Sequence, residues 1–328
     1  MSDEQSTRVH RVVPGVDPGI TRVRTKTGFD YLGPDGKPVD KADRARCEAL
    51  VLPPAWTEVW ISVDPDGHIQ AVGTDEAGRE QYRYHGEWKQ HRAHVKFGRM
   101  LQLASALPHA RGRVTHDLHH GDPKSQVLGV GFRILDEGSP RVGSIQYLEK
   151  YGSRGLTTLL RKHATVEEKV VTLSFPAKEH THDLIHLHDH ELAEVIDVLV
   201  KDDQTTEEDR LLSYLTGAGH RAGLDAAEIN QYIRQVTGGR FTAKDFRTIR
   251  GTLAAATSLA HTGPAANEKA LKKAEVEATK AASDALCNTP AVARSSYIDP
   301  RVFEQYADGR TIALGGSPDA ALLDLVGL

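Results

Sequence analysis

Long hydrophobic runs are missing from the chain. No stretch approaches the roughly 18 consecutive apolar residues that a membrane-spanning helix requires, so no such helix is expected. Cysteine occurs only as Cys47 and Cys287, which is no disulfide framework and fits a reducing cytoplasm. The opening MSDEQSTRVHRVVPG carries neither an apolar segment nor a small-residue cleavage site, so no secretory signal is expected. There is no phosphate-binding loop, no glycine-rich dinucleotide turn after a strand, no CxxC pair and no internal repeat. No cofactor is expected. A strong charge excess is missing too: 41 Lys and Arg against 45 Asp and Glu leave −4 over 328 residues.

That near-neutral total hides a segregation. From Arg79 to Arg113 there are eight basic residues and two acids, a net of +6. Arg141 to Lys178 carries a net of +4, and Arg240 to Arg250 a net of +3. The balancing acid lies mainly between Asp183 and Glu228, with a net of −9. Any single charge run is usually a solvated face. Three separate basic blocks, each carrying aromatics, instead suggest a basic surface with an acidic back, and nucleic acid as the partner.

The hydrophobic pattern divides the chain near residue 92. Val59 to Val63, the turn Asp64-Pro65-Asp66-Gly67 and the segment His68 to Val72 read as a hairpin. A second turn, Gly33-Pro34-Asp35-Gly36, follows alternation around Phe29 and Tyr31. Gln81-Tyr82-Arg83-Tyr84 reads as a short strand with both tyrosines on one face. After Trp88 the period changes: Ala93, Phe97, Met100, Leu101, Ala104 and Leu107 recur at helical spacing. Ser139-Pro140 reads as a helix start with Gly152 as its stop. Val170 to His190 alternates as a small sheet or hairpin, and Ala265 to Leu286 is helical. The fold class expected is α+β, with a small β-rich amino-terminal domain over residues 1–92 and a larger, mainly α-helical catalytic domain over 93–328.

Taken one at a time, Arg141, Lys178, Arg247 and Tyr297 have bland readings: a surface charge, a hairpin gatekeeper, a half-buried packing ring. Their contexts and order say more. Arg141-Val-Gly-Ser-Ile-Gln-Tyr147 followed by Tyr151-Gly-Ser-Arg-Gly-Leu-Thr-Thr-Leu159 resembles the first arginine box of type IB DNA topoisomerases, in the poxvirus-like bacterial branch. Phe241-Thr-Ala-Lys-Asp-Phe-Arg-Thr248 resembles that family's second arginine box, and Asn288 to Pro300, around Tyr297, its nucleophile box. The words Val23 to Tyr31, Leu52 to Trp56 and Gln81 to His85 are similar to its amino domain.

The resemblance implies two domains closing on double-stranded DNA as a clamp. It implies one strand cut through a 3′-phosphotyrosyl enzyme and rejoined without ATP or metal. Tyr297 is then the nucleophile. Arg141 and Arg247 clamp the non-bridging oxygens with rigid, permanently charged donors. Lys178 in Leu173-Ser-Phe-Pro-Ala-Lys178 protonates the 5′-oxygen, although Ala177 stands where the family usually has glycine. Asn288 occupies the place of the histidine found in many members, and its amide can donate the same hydrogen bond without charge. Lys244 is a second basic contact near the phosphate. Gln81, Tyr82, Tyr84, Ser144 and Tyr147 are expected to touch DNA. Poxvirus members carry lysines where this chain has Ser144 and Gln146, so their target sequence does not transfer.

The histidines at 180, 182, 186, 188 and 190 form a rival feature. Alternate residues on a strand share a face, so His186, His188 and His190 could converge on a metal. Strand neighbours point in parallel rather than around a centre, and no metal site is expected. Two other classes stay open. A tyrosine recombinase shares the nucleophile and arginines but usually shows His-x-x-Arg where this chain has Lys244-Asp245-Phe246-Arg247. A non-catalytic DNA-binding module would keep the fold alone. The remaining expectations are a monomer, no membrane partner, and a cytoplasmic, nucleoid-associated protein.

Overall fold

The computed structural model describes residues 8–177 and 181–327. The chain divides into two compact units between Lys96 and Phe97.

The first unit is built on an antiparallel sheet of β1 (Gly19–Arg24), β2 (Phe29–Leu32), β3 (Thr57–Ser62), β4 (Ile69–Thr74) and β5 (Glu80–Tyr84). The strand order is β2-β1-β3-β4-β5. Strand alternation puts Ile20, Tyr31, Val59, Ile61 and Ala71 into one core cluster. Trp60, on the other face of β3, packs instead with Val12, Ile69 and Val72. The two turns read from the sequence lie where expected: Gly36 donates to Gly33 at the first, with φ +76°, and Gly67 donates to Asp64 at the second. A helix that strand patterning did not reveal, α1 (Lys41–Ala49), covers the first core and contributes buried Cys47. Asp40 caps it by accepting from the Asp43 amide.

The division between units falls inside α2 (Gly86–His120). From Phe97 onward its buried residues are Phe97, Met100, Leu101, Leu103, Ala104, Leu107, Ala110, Val114 and Leu118. This is the helical period seen in the sequence. The central helix of the second unit is α3 (Pro123–Gly138), buried on most sides, with Phe132 edge-on to Phe246 at 5.2 Å. Ser139 does not start a helix, contrary to the sequence expectation. It ends α3 in the left-handed region at φ +48°. The next helix, α4 (Ile145–Tyr151), begins six residues after Ser139, with Ser144 as its N-cap and Gly152 as its stop. The Ser-Pro signal was outweighed because Pro140 follows a cap that closes the helix before it.

A three-stranded antiparallel sheet follows, β6 (Ala164–Glu167), β7 (Val170–Pro176) and β8 (His182–Leu187), in sequence order. Then come α5 (His190–Lys201), the two-stranded pair β9 (Ser213–Leu215) and β10 (Arg221–Gly223), and α6 (Ala226–Thr237). The chain finishes with α7 (Ala243–Thr262), α8 (Glu268–Ala285), α9 (Pro290–Ser296), α10 (Arg301–Ala307) and α11 (Pro318–Val326). The architecture is α+β, with a sheet-based amino-terminal unit and a mainly helical second unit. No helix among the described residues is long and apolar enough to cross a membrane.

Candidate active site

Three segments far apart in sequence meet at one cleft of the second unit. Its volume is about 580 Å³, and Arg141, His182, Asp183, Cys287, Asn288 and Tyr297 are among its lining residues.

Arg141 stands on an extended segment between α3 and α4. Its backbone is fixed by the Gly-Leu-Thr stretch of the same box: the Leu156 amide donates to the Arg141 carbonyl at 2.8 Å, and Thr157 to Val142 at 2.9 Å. Gly155 permits this pairing, since a Cβ there would stand 2.4 Å from the Arg141 carbonyl oxygen. The Arg141 guanidinium donates to Asn288 Oδ1 and lies 3.8 Å from the buried Asp183 carboxylate. Burial pushes the Asp183 carboxyl above its ordinary value, with Arg141 and Arg247 opposing that shift.

Asn288 follows α8 through a tight reversal. Cys287 takes φ +48°, and the Asn288 amide returns to the Ser283 carbonyl at 3.0 Å. The Asn288 Nδ2 group is buried with no hydrogen-bond partner among the described residues, as is Arg141 Nη1. Both are donors, and the chemistry they lack is an acceptor.

Arg247 is held on α7. Thr242 and Asp245 form the capping box of that helix, and Arg99 from α2 donates to Asp245 at 2.7 and 2.9 Å. The Arg247 side chain is 4% exposed. Its guanidinium donates to the Ser139 carbonyl at 2.7 Å and to the Leu286 carbonyl at 2.9 Å, which tethers the chain just before Arg141 and just before Asn288. Burial lowers its pKa from the usual guanidinium value, and it remains a cation. The same guanidinium sits 5.1 Å from the centre of the Tyr297 ring.

Tyr297 closes α9, its amide bonded to Ala293 at 2.9 Å. Two residues of α7 place it. The Thr252 hydroxyl donates to the Tyr297 carbonyl at 3.1 Å and accepts from the Asp299 amide at 3.1 Å. Gly251 lies so close that a Cβ would meet the Tyr297 carbonyl oxygen at 2.8 Å and its Cβ at 3.0 Å. Gly251 was not singled out from the sequence, although a lone glycine inside a helical pattern is the kind of signal that marks such an approach. The Thr242-x-x-Asp245 spacing is itself a capping-box signal, whereas Asp183 had none, because its place beside Arg141 depends on which segments the fold brings together.

The other expected residues are distributed as follows. Lys178 and His180 lie outside the described residues. Lys244 is an exposed residue in the first turn of α7 and does not line the cleft. The Ser144 hydroxyl accepts from the Tyr147 amide at 3.2 Å as the cap of α4. Tyr147 is exposed and packs on Tyr151 with ring centres 4.6 Å apart. In the first unit, Tyr82 and Tyr84 share a face, stacked 5.9 Å apart, and the Tyr82 hydroxyl donates to Glu80. The Gln81 amide donates to Asp75 at 2.9 Å on the opposite face. The imagined line of His186, His188 and His190 is broken, because β8 ends at Leu187 and α5 begins at His190. His182 and His186 are engaged by Ser174 and Thr172 of β7. Among the described residues, no three His, Cys, Asp or Glu side chains gather around a point suited to a metal ion.

A sheet-based amino-terminal unit joined to a helical unit, with an arginine and a tyrosine lining one cleft and a second arginine against the tyrosine ring, is an arrangement suited to work on phosphodiesters. Residues 85–311 match the family model described as the eukaryotic DNA topoisomerase I catalytic core, and residues 28–75 match the bacterial DNA topoisomerase IB N-terminal domain. The chain belongs to the type IB DNA topoisomerase family, isomerases that act on DNA. It is 30% identical over 299 residues to the DNA topoisomerase 1B of Acanthamoeba polyphaga mimivirus, covering 88% of this chain and 87% of that one.

Proposed function

We propose that this protein relaxes supercoiled duplex DNA by cutting and resealing one strand through a covalent bond to Tyr297. The observation that carries the proposal is the convergence of Arg141, Asn288 and Tyr297 on one cleft, with Arg247 against the Tyr297 ring. In the forward step Tyr297 Oη attacks phosphorus, forming the 3′-phosphotyrosyl bond as the phosphorus–O5′ bond breaks. The phenol proton passes to solvent water, and the departing 5′-oxygen takes a proton from Lys178. Arg141, Arg247 and Asn288 donate to the two non-bridging oxygens, whose charge grows in the transition state. Arg247 has two N–H groups held by carbonyls and interacts with the Tyr297 side chain, and its Nε, without a partner among the described residues, is left to donate to the phosphate.

Resealing is the same path reversed, with the 5′-hydroxyl as attacker. The phosphotyrosyl ester conserves the energy of the broken bond, so no nucleotide is consumed. Two guanidinium groups supply the positive charge, and the reaction proceeds without a metal. The cleft residues all come from one chain, so a monomer suffices. Lys244 and the exposed Tyr147 contact the duplex from the second unit, and Tyr82 and Tyr84 contact it from the amino-terminal unit.

The test pairs relaxation of supercoiled plasmid in EDTA with covalent trapping on a suicide substrate. Wild-type protein relaxes the plasmid and forms the adduct; Tyr297→Phe does neither yet binds duplex DNA as before. An adduct with the Phe variant would place the nucleophile elsewhere. An adduct without relaxation would favour a tyrosine recombinase, and DNA binding without either would leave a non-catalytic module.

A further inference from the structure

The amino-terminal unit carries a second concavity, of about 330 Å³, at the lower end of the ligand-sized range. Its walls include His68, Tyr84 and Trp88, with the Trp88 ring edge-on to His68 at 4.8 Å. Arg11, Lys89 and Arg92 stand around it, and no carboxylate of the described residues lines it.

The hydrogen-bonding character of this site is one-sided. His68 Nδ1 accepts from the Val12 amide at 3.1 Å, so in the neutral ring the proton sits on Nε2 and that nitrogen donates. Burial, with Arg11 and His10 adding to it, lowers the His68 pKa, so the ring is held in that neutral donor form. The arginines sharpen the contrast. The other described arginines of this unit each reach an acceptor in the protein, as Arg8 does at Asp66 and Arg44 at Glu48. Arg22, Arg24, Arg46 and Arg83 reach carbonyls, and Arg79 reaches Asp75. Arg11 and Arg92 make no side-chain hydrogen bond or ion pair among the described residues, and both border the same concavity. Lys89 likewise shows no side-chain partner among the described residues, and three such cations with an imidazole donor and aromatic walls suit a phosphodiester with its sugar packed on the rings.

We infer that this concavity is an anchoring site for a backbone phosphate of the duplex, held by Arg11, Lys89, Arg92 and His68. It is separate from the catalytic cleft and from the stacked Tyr82. The inference rests on the reading that the chain works on duplex DNA, and it adds where the amino-terminal unit grips the backbone. Phosphate contacts fix position without reading sequence, so the site contributes affinity and register to every target alike.

The experiment measures binding of a fluorescein-labelled duplex to the full chain across a salt series. Three forms are compared: wild type, Arg11→Ala/Arg92→Ala, and Arg44→Ala as a control whose arginine is already paired. Each phosphate contact contributes about 0.9 to the slope of log affinity against log salt. The double variant is expected to lose about 1 unit of slope and roughly tenfold in affinity at moderate salt, while the single-turnover cleavage rate at saturating DNA stays the same. An unchanged slope in the double variant, or an equal loss in Arg44→Ala, overturns the site. A further arm titrates free thymidine monophosphate against Trp88 fluorescence, with Trp88→Phe to identify the signal. Quenching that the double variant abolishes while duplex binding is untouched would assign the pocket to free nucleotides and overturn the anchoring role. Wild-type protein that ignores duplex DNA would overturn both this inference and the proposed function; steep salt dependence retained in all three forms would overturn this inference alone.

Discussion

The Arg141 guanidinium donates to Asn288 Oδ1, and because a guanidinium only donates, this bond decides which way the Asn288 amide faces. The oxygen is held by Arg141, and the Nδ2 group is left as the donor. Asparagine in this place therefore presents a defined hydrogen-bond donor through its contact with the neighbouring arginine.

Substitutions at Asn288 follow from that orientation. Asn288→Ala removes one transition-state donor and should slow single-turnover cleavage by about 10²–10³-fold. Asn288→His should keep much of the rate, since imidazole presents a donor from the same backbone position. Asn288→Asp should be worse than Ala: it keeps the bond to Arg141, loses the Nδ2 donor, and sets a negative charge against both Arg141 and the phosphate. Rates of adduct formation on a suicide substrate rank the three, and an Ala variant as fast as wild type would make Asn288 a spectator.

Arg247→Lys keeps the charge and removes the fork. A lysine ammonium cannot span the Ser139 and Leu286 carbonyls in the planar geometry now observed. At least one buried carbonyl loses its partner, at a cost of about 1–3 kcal/mol. Urea unfolding should show that loss, and cleavage at a temperature where the variant is folded should fall because the chain segments before Arg141 and Asn288 are no longer tethered. Unchanged stability would mean that the two carbonyl bonds contribute nothing net.

Much of this was legible in the residues, and the limits have physical causes. Strand alternation announced the β3–β4 hairpin and the shared face of Tyr82 and Tyr84, because period-2 patterning survives any tertiary context. Three motif words brought Arg141, Arg247, Asn288 and Tyr297 into view before any geometry. The carbonyl contacts of Arg247 and the contact between Asp183 and Arg141 were not legible, since each joins positions dozens to more than a hundred residues apart. The short helix α1 also escaped notice: with one fully buried residue, it lacks a strong apolar period. Ser144 carried a DNA-contact expectation, and the structure gives it an N-cap bond, the ordinary work of a serine before a helix.

Gly251→Ala tests the seat of the tyrosine. The added methyl would stand 2.8 Å from the Tyr297 carbonyl oxygen and 3.0 Å from its Cβ. Overpacking of this kind costs about 1–3 kcal/mol, and relief requires Tyr297 to move. Adduct formation should drop at least tenfold with duplex affinity retained. Wild-type cleavage by a folded Gly251→Ala protein would show that Tyr297 tolerates displacement.

Asp183→Asn gives a pH-dependent outcome. The unfolded carboxyl titrates near 3.9, and burial holds the folded one higher. The folded state thus binds the proton more tightly, so the carboxyl's contribution to stability falls as pH rises from the unfolded value through the folded one. Asparagine has no proton to lose. The stability of Asp183→Asn relative to wild type should grow as pH is raised from about 3.5 and level off once the folded carboxyl has ionised. Urea midpoints across that range would expose the trend, and a gap that stays constant with pH would exclude Asp183 as its source.

Arg247 and Gly251 are separated by a little more than one turn of α7, so the charge clamp and the seat of the nucleophile are spaced by helix pitch, about 5.4 Å per turn. A loop could drift in length or shape without losing its ends; a helical ruler cannot. Inserting one residue between positions 247 and 251 would rotate one feature by about 100° relative to the other. Catalytic geometry along this stretch should therefore tolerate changes of side chain far better than changes of length. That asymmetry would appear as a sharp boundary in any insertion scan that runs from the loop before Thr242 into α7.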